Sequence, residues 1–415
     1  MRFLVITPHF APDTAPTGTI VTELVKHWCG KGHQVHVITS LPWYQNHAVE
    51  NEWKKKFFSK DLVENLEIIR FYPFPNNKSN FLLRALGFLA FSLVTLIASL
   101  FTKGPFDAVF TLSPPITLAT AGKFAATRHQ CPLVLNVQDI FPDAAIETGV
   151  LQSKSLIKCL KVFEKISYKS ADLLTVLSKD MEENVKLKLS NEKKPPILKV
   201  IPNFAFTNFF NAEKENSYKK ENGLEGKLVI MYAGNLGHSQ PLELLLNATK
   251  VHADNKNLLY VVNGGGVQQE FVRGEAEKAD NLVFVEYQPF ERLPEVLSAA
   301  DIHLVMLKPG LGNVSVPSKI YNIFASGRPV VASVDSGTEI ERLVLEAEAG
   351  FVVPPDKPEA FYEAIEKLSV NPVLRNEMGN SAQLWAKKWH SAQTVSNMYI
   401  EGIKDLKTND KESLP

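Results

Sequence analysis

Cysteine is scarce in this chain: 415 residues hold only Cys29, Cys131 and Cys159. A scattered, odd-numbered set makes no disulfide framework and fits a reducing compartment. It forms no Cys/His cluster with the spacing of a structural zinc site either. No charge of one sign dominates. Lys+Arg and Asp+Glu stand at 45 each, so no global field attracts nucleic acid, and none is expected as a partner. The first apolar run, Phe3–Thr7, stops at Pro8. That is too short for a signal-peptide core and reads as a first buried strand. This strand does not run into G-x-G-x-x-G, and no G-x-x-x-x-G-K-[ST] occurs. A dinucleotide oxidoreductase and a P-loop enzyme thereby lose their main support. D-x-D is missing too, so the paired carboxylates that hold Mg²⁺ or Mn²⁺ on a nucleotide are not supplied, and no metal or cofactor is expected.

What the chain does have is length and alternation. Its 415 residues suggest about two domains. Short apolar runs are separated by stretches of helical length: Phe3–Thr7, Gln34–Thr39, Ile68–Phe71, Asp107–Leu112, Leu133–Val137, Leu173–Leu177 and Ile197–Ile201. Runs this apolar between helices predict a parallel sheet covered on both faces. Prolines and a polar Lys/Glu-rich connection follow, and the pattern restarts. Strands are expected at Leu228–Ala233, Leu258–Asn263, Leu282–Glu286, Ile302–Leu307, Pro329–Val334 and Phe351–Val353. The reading is α/β: two doubly wound Rossmann-like domains, at 1–200 and 201–385. A C-terminal helix at 386–406 is expected to cross back to the first domain, ahead of a disordered tail at 407–415. Two such domains present their ligand sites at strand carboxyl ends, on facing surfaces across a cleft.

Candidate site residues lie at those ends. Gly18, between the first strand and a helix, suits close backbone approach by an anion or serves as a plain turn glycine. Asp139, after Gln138, stands just past the strand Leu133–Val137, where α/β sites form; a cap or turn role before Pro142 is the alternative. Leu228–Gly237 reads LVIMYAGNLG. It takes a strand into a tight loop of Gly234, Asn235 and Gly237, with Ser239 as helix N-cap and Pro241 in the first turn. Backbone N–H groups there suit a diphosphate, and a βα turn without ligand is the bland reading. Val316–Val331 places Ser318 and Lys319 at a helix start. A lysine is misplaced there by dipole logic unless an anion binds beside it or its charge reaches water.

Taken in order, these residues resemble the retaining glycosyltransferases of family 4, with the GT-B fold. The subgroup resembled is that of bacterial fucosamine-transferase and colanic-acid-transferase-like enzymes of surface polysaccharide synthesis. The likeness runs from Phe3 to about Tyr399. It is carried by P-x-F-x-P…T-G (Pro8–Gly18), K-G-H-x-V-x-V-I-T (Lys31–Thr39), L-S-P-P (Leu112–Pro115), V-Q-D-I-F-P-D (Val137–Asp143) and I-P-N (Ile201–Asn203). A-G-N-L-G (Ala233–Gly237), V-P-S-K…A-S-G-R-P-V-V-A (Val316–Ala332) and A-G-F-V-V-P-P (Ala349–Pro355) complete it. The resemblance implies an acceptor-binding first domain and a nucleotide-sugar-binding second one. It implies that Gly18, Gly234, Asn235, Ser318 and Lys319 contact the donor diphosphate. Gln138 and Asp139 then occupy the place of a catalytic histidine and acidic residue. The chain departs from the family twice. Asn235 and Gln240 stand where many members carry an Arg and a Lys on the diphosphate. Val314 and Asn322 stand where the broader family has two glutamates, with Glu339 and Glu341 the nearest acidic replacements.

The expected activity is therefore retaining transfer of a sugar from a nucleoside diphosphate, UDP above others, to a lipid-linked oligosaccharide or polysaccharide acceptor. A GT-B sugar-nucleotide epimerase and a non-catalytic sugar-nucleotide-binding partner of an assembly complex are the rival readings. Ala85–Phe101 holds seventeen residues without a charge between Arg84 and Lys103. Trp53–Lys60 reads WKKKFFSK, aromatics among four lysines. Both stretches suit an anionic membrane surface, and a solvated loop and a core helix are their alternatives. The expected location is cytoplasmic, peripheral on the inner face of the plasma membrane.

Overall fold

The computed structural model describes all residues except 45–47, 74–80, 211–215, 313, 315 and 413–415; the side chains of 81, 82, 84, 407 and 409–412 also lie outside the described set. The chain divides into two compact units, Met1–Pro202 with Ala392–Pro415, and Asn203–Ser391.

Among the described residues, the first unit is built on eight strands: β1 (Arg2–Ile6), β2 (Gln34–Ser40), β3 (Phe58–Val63), β4 (Leu66–Phe71), β5 (Ala108–Ser113), β6 (Leu133–Val137), β7 (Leu173–Val176) and β8 (Ile197–Val200). Their order across the sheet is β3-β4-β2-β1-β5-β6-β7-β8. Every pairing is parallel except β3 with β4. The apolar runs explain the parallel part. β5 and β6 are buried along their whole length, as strands covered on both faces must be.

Six helices connect these strands: α1 (Pro16–Gly30), α2 (Phe81–Phe101), α3 (Leu118–His129), α4 (Asp143–Glu147), α5 (Lys154–Ser170) and α6 (Lys179–Leu189). The crossover through α1 moves one way along the sheet, whereas those through α2, α3, α5 and α6 move the other way. Right-handed crossovers therefore set α2, α3, α5 and α6 on one face and α1 on the opposite one. The C-terminal helix Ala392–Glu412 packs on α1, where Trp28 Nε1 donates to the Ser396 carbonyl at 3.4 Å.

The second unit carries β9 (Leu228–Asn235), β10 (Leu258–Gly265), β11 (Leu282–Val285), β12 (Ile302–Met306), β13 (Val330–Ser333) and β14 (Gly350–Val353). All are parallel, in the order β11-β10-β9-β12-β13-β14. Both sheets thus reverse strand order once, between β1 and β5 and between β9 and β12. In such sheets the crevice at the carboxyl ends of the two switch strands is where ligands bind.

Several expectations are corrected. Trp53–Lys60 is not one loop: from Phe58 it enters β3, an antiparallel edge strand hidden from a parallel-run reading by its polar Ser59–Asp61. The C-terminal helix expected at 386–406 is interrupted at His390: its start belongs to the helix Pro372–Trp389, and the rest to the helix Ala392–Glu412. The return to the first unit begins at Ala392, not near 386. Residues 407–412 continue that helix where a disordered tail is expected, and 413–415 lie outside the described residues. Among the described residues, no helix is long and apolar enough to cross a membrane.

Candidate functional site

In the second unit, the switch point is made by the loop after β9 and the loop after β12, joined where Lys308 N donates to the Ser239 carbonyl at 3.0 Å. Near the end of β9, glycine is paired with glycine across to β10 for a steric reason. Gly234 has φ 143°, and a Cβ on its neighbour Gly264 would lie 1.9 Å from the Gly234 carbonyl oxygen. No larger residue lets β9 and β10 stay paired there. The loop then folds on itself. Gly237 N donates to Gln240 Oε1 at 3.0 Å, Gln268 Nε2 donates to the Gly237 carbonyl, and Leu236 N donates to the Gly265 carbonyl at 2.9 Å. Gln240 therefore serves its own loop, satisfying the Gly237 N–H that the sequence offered to a ligand. Ser239 caps nothing: the N-cap of the helix Leu242–Val251 is Pro241, without a side-chain bond.

Lys319 is the unusual group. The residue as a whole is half-buried, but Nζ is out of contact with solvent and, among the described residues, has no hydrogen-bond partner. It lies 3.5 Å from the centroid of the Tyr232 ring, and a Cβ on Gly234 would come 4.0 Å from it. Tyr232, in turn, is held by its hydroxyl donating to the Asn235 carbonyl at 2.7 Å. Burial pushes the Lys319 ammonium down from 10.5 to about 7. The ring face returns part of the lost hydration, but three donor protons remain unused. A buried charge in this state is uncompensated, and it sits beside the glycine loop at the switch point. Ser318 precedes it at the N-cap, without a side-chain cap bond.

The acidic candidates are already engaged. Glu339 pairs with Arg342 at 2.9 Å, and Glu341 accepts from Gly337 N and Ser336 Oγ. Asn322, in the place of a family glutamate, accepts Phe206 N at 2.9 Å, and Val314 is buried.

In the first unit, Gly18 stands in the first turn of α1, where a Cβ would meet the His9 Cβ at 2.8 Å. The glycine is required by the His9 loop whether or not a ligand approaches. That loop holds a group the sequence reading missed. His9 Nδ1 and Asp13 Oδ2 are 2.7 Å apart and buried, Asp13 Oδ1 accepts Tyr44 N at 3.1 Å, and the His9 ring lies 5.1 Å from Trp43. Within Pro8–Asp13 the only trace of it is a histidine four residues before an aspartate. Gln138 and Asp139 follow β6, the strand next to β5. Gln138 is buried, its amide donating to Asn136 Oδ1, while Asp139 is half-buried. The structure thus gathers Gly234, Asn235, Gly237, Gln240, Ser318 and Lys319 in the second unit, and places Gly18 and Gln138-Asp139 at strand ends of the first. Among the described residues, no three His, Cys, Asp or Glu side chains are grouped to hold a metal ion.

Comparison with known proteins gives the family. The family model described as "Glycosyl transferases group 1" matches residues 213–385, and "Glycosyl transferase 4-like domain" matches 17–196. The chain is 30% identical over 308 residues to WbjE of Pseudomonas aeruginosa, named as a glycosyltransferase, covering 72% of this chain and 75% of that protein. It is 24% identical over 420 residues to WcaI of Escherichia coli K12, named as a glycosyl transferase of colanic acid biosynthesis, covering 97% and 100%. Among solved structures, Anabaena HepE in complex with UDP-glucose superposes with a TM-score of 0.69 at 14% identity, covering 98% of this chain and 100% of that one.

Proposed function

The chain belongs to the family 4 glycosyltransferases of GT-B fold, and from that premise we propose that it moves a sugar with retention from a UDP-sugar to a lipid-linked or polysaccharide acceptor. The observation that carries the donor half is the Lys319 ammonium, buried beside the Gly234 loop with no hydrogen-bond partner among the described residues. A front-face route asks little covalent help of a protein. It needs the departing diphosphate stabilised by fixed charge and the acceptor hydroxyl held beside it. Lys319, rather than a metal, supplies that charge in this reading, with Gly234, Asn235, Gly237 and Ser318 around it. Gln240 and Glu339 take supporting places at the edge of the donor site. In the first unit Asp139 orients the acceptor or the transferred sugar, Gln138 fixes the loop, and Gly18 lets the chain come close to the phosphates.

UDP is preferred because HepE, which shares the fold, is a UDP-glucose complex. A surface polysaccharide acceptor is supported by the name of WcaI. Such acceptors grow on lipid carriers, which favours an enzyme peripheral on the inner face of the cytoplasmic membrane, in contact through 53–60 and 85–101. The test of the donor reading is thermal unfolding of purified protein with a panel of nucleoside diphosphates, since a ligand of the folded state raises apparent stability. UDP should raise Tm most, and Lys319→Met should reduce the rise. Equal stabilisation of wild type and variant would remove Lys319 from the donor site.

A further inference from the structure

α2 buries Phe91 in the core, but most of its buried side is not apolar. Its hydroxyl residues Ser92, Thr95 and Ser99 are buried and bond to the helix's own carbonyls of Phe88, Phe91 and Leu96; Ser92 also meets Thr117 Oγ1 at 2.8 Å. Leu86, Leu89, Leu93, Ile97 and Leu100, spaced at three to four residues along one helical stripe, are 41–58% exposed, and Phe101 is 79% exposed. An amphipathic helix of a water-facing protein does the opposite.

The stripe does not stand alone. α2 packs on α3 and α3 on α5, all on the same face of the sheet. α5 also exposes an apolar stripe, of Leu156, Val162, Phe163 and Ile166. It carries five lysines, Lys154, Lys158, Lys161, Lys165 and Lys169, against one glutamate, Glu164, which is buried. Lys165 and Lys169 share Glu192, and Lys161 lies 3.8 Å from Asp143, while Lys154 and Lys158 have no ion pair among the described residues. Large exposed apolar side chains concentrated on one face are uncommon on soluble monomers and mark a contact surface.

We propose that the outer face of the α2–α3–α5 layer docks in the plane of an anionic bilayer, with the α2 stripe at the acyl boundary and the α5 lysines among the headgroups. This deepens the membrane-peripheral reading given above, on which it rests. The occupant is argued from charge and shape together. α2 contributes an uncharged ridge and α5 a cationic one, which is the pairing of an interfacial helix with acidic lipid. A second copy of the chain fits less well, since a two-fold contact through this face brings like-charged α5 surfaces toward each other. The Trp53–Lys60 stretch becomes secondary: its Lys60 is held by Glu67 at 2.8 Å and its Lys56 lies over the Trp53 ring at 4.6 Å.

The experiment is co-sedimentation with vesicles of phosphatidylglycerol and phosphatidylcholine, or of phosphatidylcholine alone. Wild type should pellet with the anionic vesicles and bind the neutral ones at least tenfold less. Leu93→Ser with Ile97→Ser should lower binding about tenfold, Phe163→Ser with Ile166→Ser comparably, and Lys154→Gln with Lys158→Gln severalfold. Changing Lys54, Lys55 and Lys56 to Glu should matter less than any of these. All altered side chains are exposed, and unchanged Tm and unchanged stabilisation by UDP would show that each variant is folded. Wild type remaining in the supernatant, or α2 and α5 variants pelleting like wild type, overturns the proposal. So does a dimer in sedimentation velocity that Leu93→Ser with Ile97→Ser converts to monomer, which would make a second copy the occupant. Loss of UDP stabilisation in wild type would sink the donor reading while leaving vesicle binding intact, so the two failures are distinguishable.

Discussion

The two units treat buried charge in opposite ways. In the first, the Asp13 carboxylate is enclosed but answered on both oxygens, by His9 and by the Tyr44 amide. In the second, the Lys319 ammonium is enclosed and, among the described residues, answered only by the face of Tyr232. A satisfied pair needs nothing further and stiffens the loop that carries it. An unsatisfied ammonium is retained at a cost to folding, and that cost makes sense where a ligand supplies the missing acceptors. Chemistry at the donor and order in the first-unit loop are therefore separable by mutation, and the predicted effects run from turnover down to pH.

The largest effect is expected at Asp139. Asp139→Asn should cut sugar transfer by orders of magnitude while leaving donor stabilisation nearly intact, the pattern left when only transition-state interactions are lost. Steady-state rates and a UDP titration on the same preparation decide it. Wild-type turnover would return Asp139 to a turn residue. Next comes Lys319→Met, which removes a charge-assisted contact worth about 1.5–3 kcal/mol, or about 10- to 150-fold in UDP affinity. Because the charge is unpaired without ligand, the unliganded variant should unfold no lower than wild type, and calorimetry with and without UDP reads both halves. Asp13→Ala should behave as the mirror image: about 1–3 kcal/mol of stability lost through the orphaned His9 and Tyr44 N–H groups, with UDP affinity held. A fall in UDP affinity matching that of the lysine variant would erase the contrast between the units.

The same contrast marks how far sequence reasoning reaches. Parallel strands such as β6, LVLNV, are found because burial on both faces leaves a run that is apolar except for Asn136. β3, FSKDLV, escapes because an edge strand has no such requirement. Lys319 is found because a lysine opening a helix conflicts with local electrostatics, and the conflict is visible in one dimension. Its isolation is not, since that depends on Tyr232 and Gly234, 85 or more positions earlier. His9 and Asp13 satisfy each other, so nothing about them conflicts with a plain loop, and they pass unseen. α2 shows a third limit. Periodicity separates its hydroxyl stripe from its apolar stripe, but which stripe faces the sheet is settled by packing on α3, where Ser92 meets Thr117.

A further effect follows from the lysine's own titration. Its folded-state value lies near 7, below the ordinary 10.5, because burial disfavours the charged form. Between those values the unfolded chain binds more protons than the folded one, so stability of the unliganded protein should rise as pH increases from about 7 toward 10.5. Below 7 both states are protonated, and the full burden of the buried charge remains. Donor binding should follow the opposite slope. A diphosphate prefers the ammonium, so above pH 7 the lysine must first take up a proton, and affinity should weaken by up to about tenfold per pH unit. Phosphate ionisation, near pH 6, is complete across that window and adds no slope of its own. Calorimetric UDP titrations between pH 6.5 and 9, repeated in buffers of different ionisation enthalpy, should report up to one proton taken up at the alkaline end. Lys319→Met should show neither the slope nor the uptake. A flat affinity profile in wild type, or the same slope in the variant, would mean that this ammonium is not what meets the diphosphate.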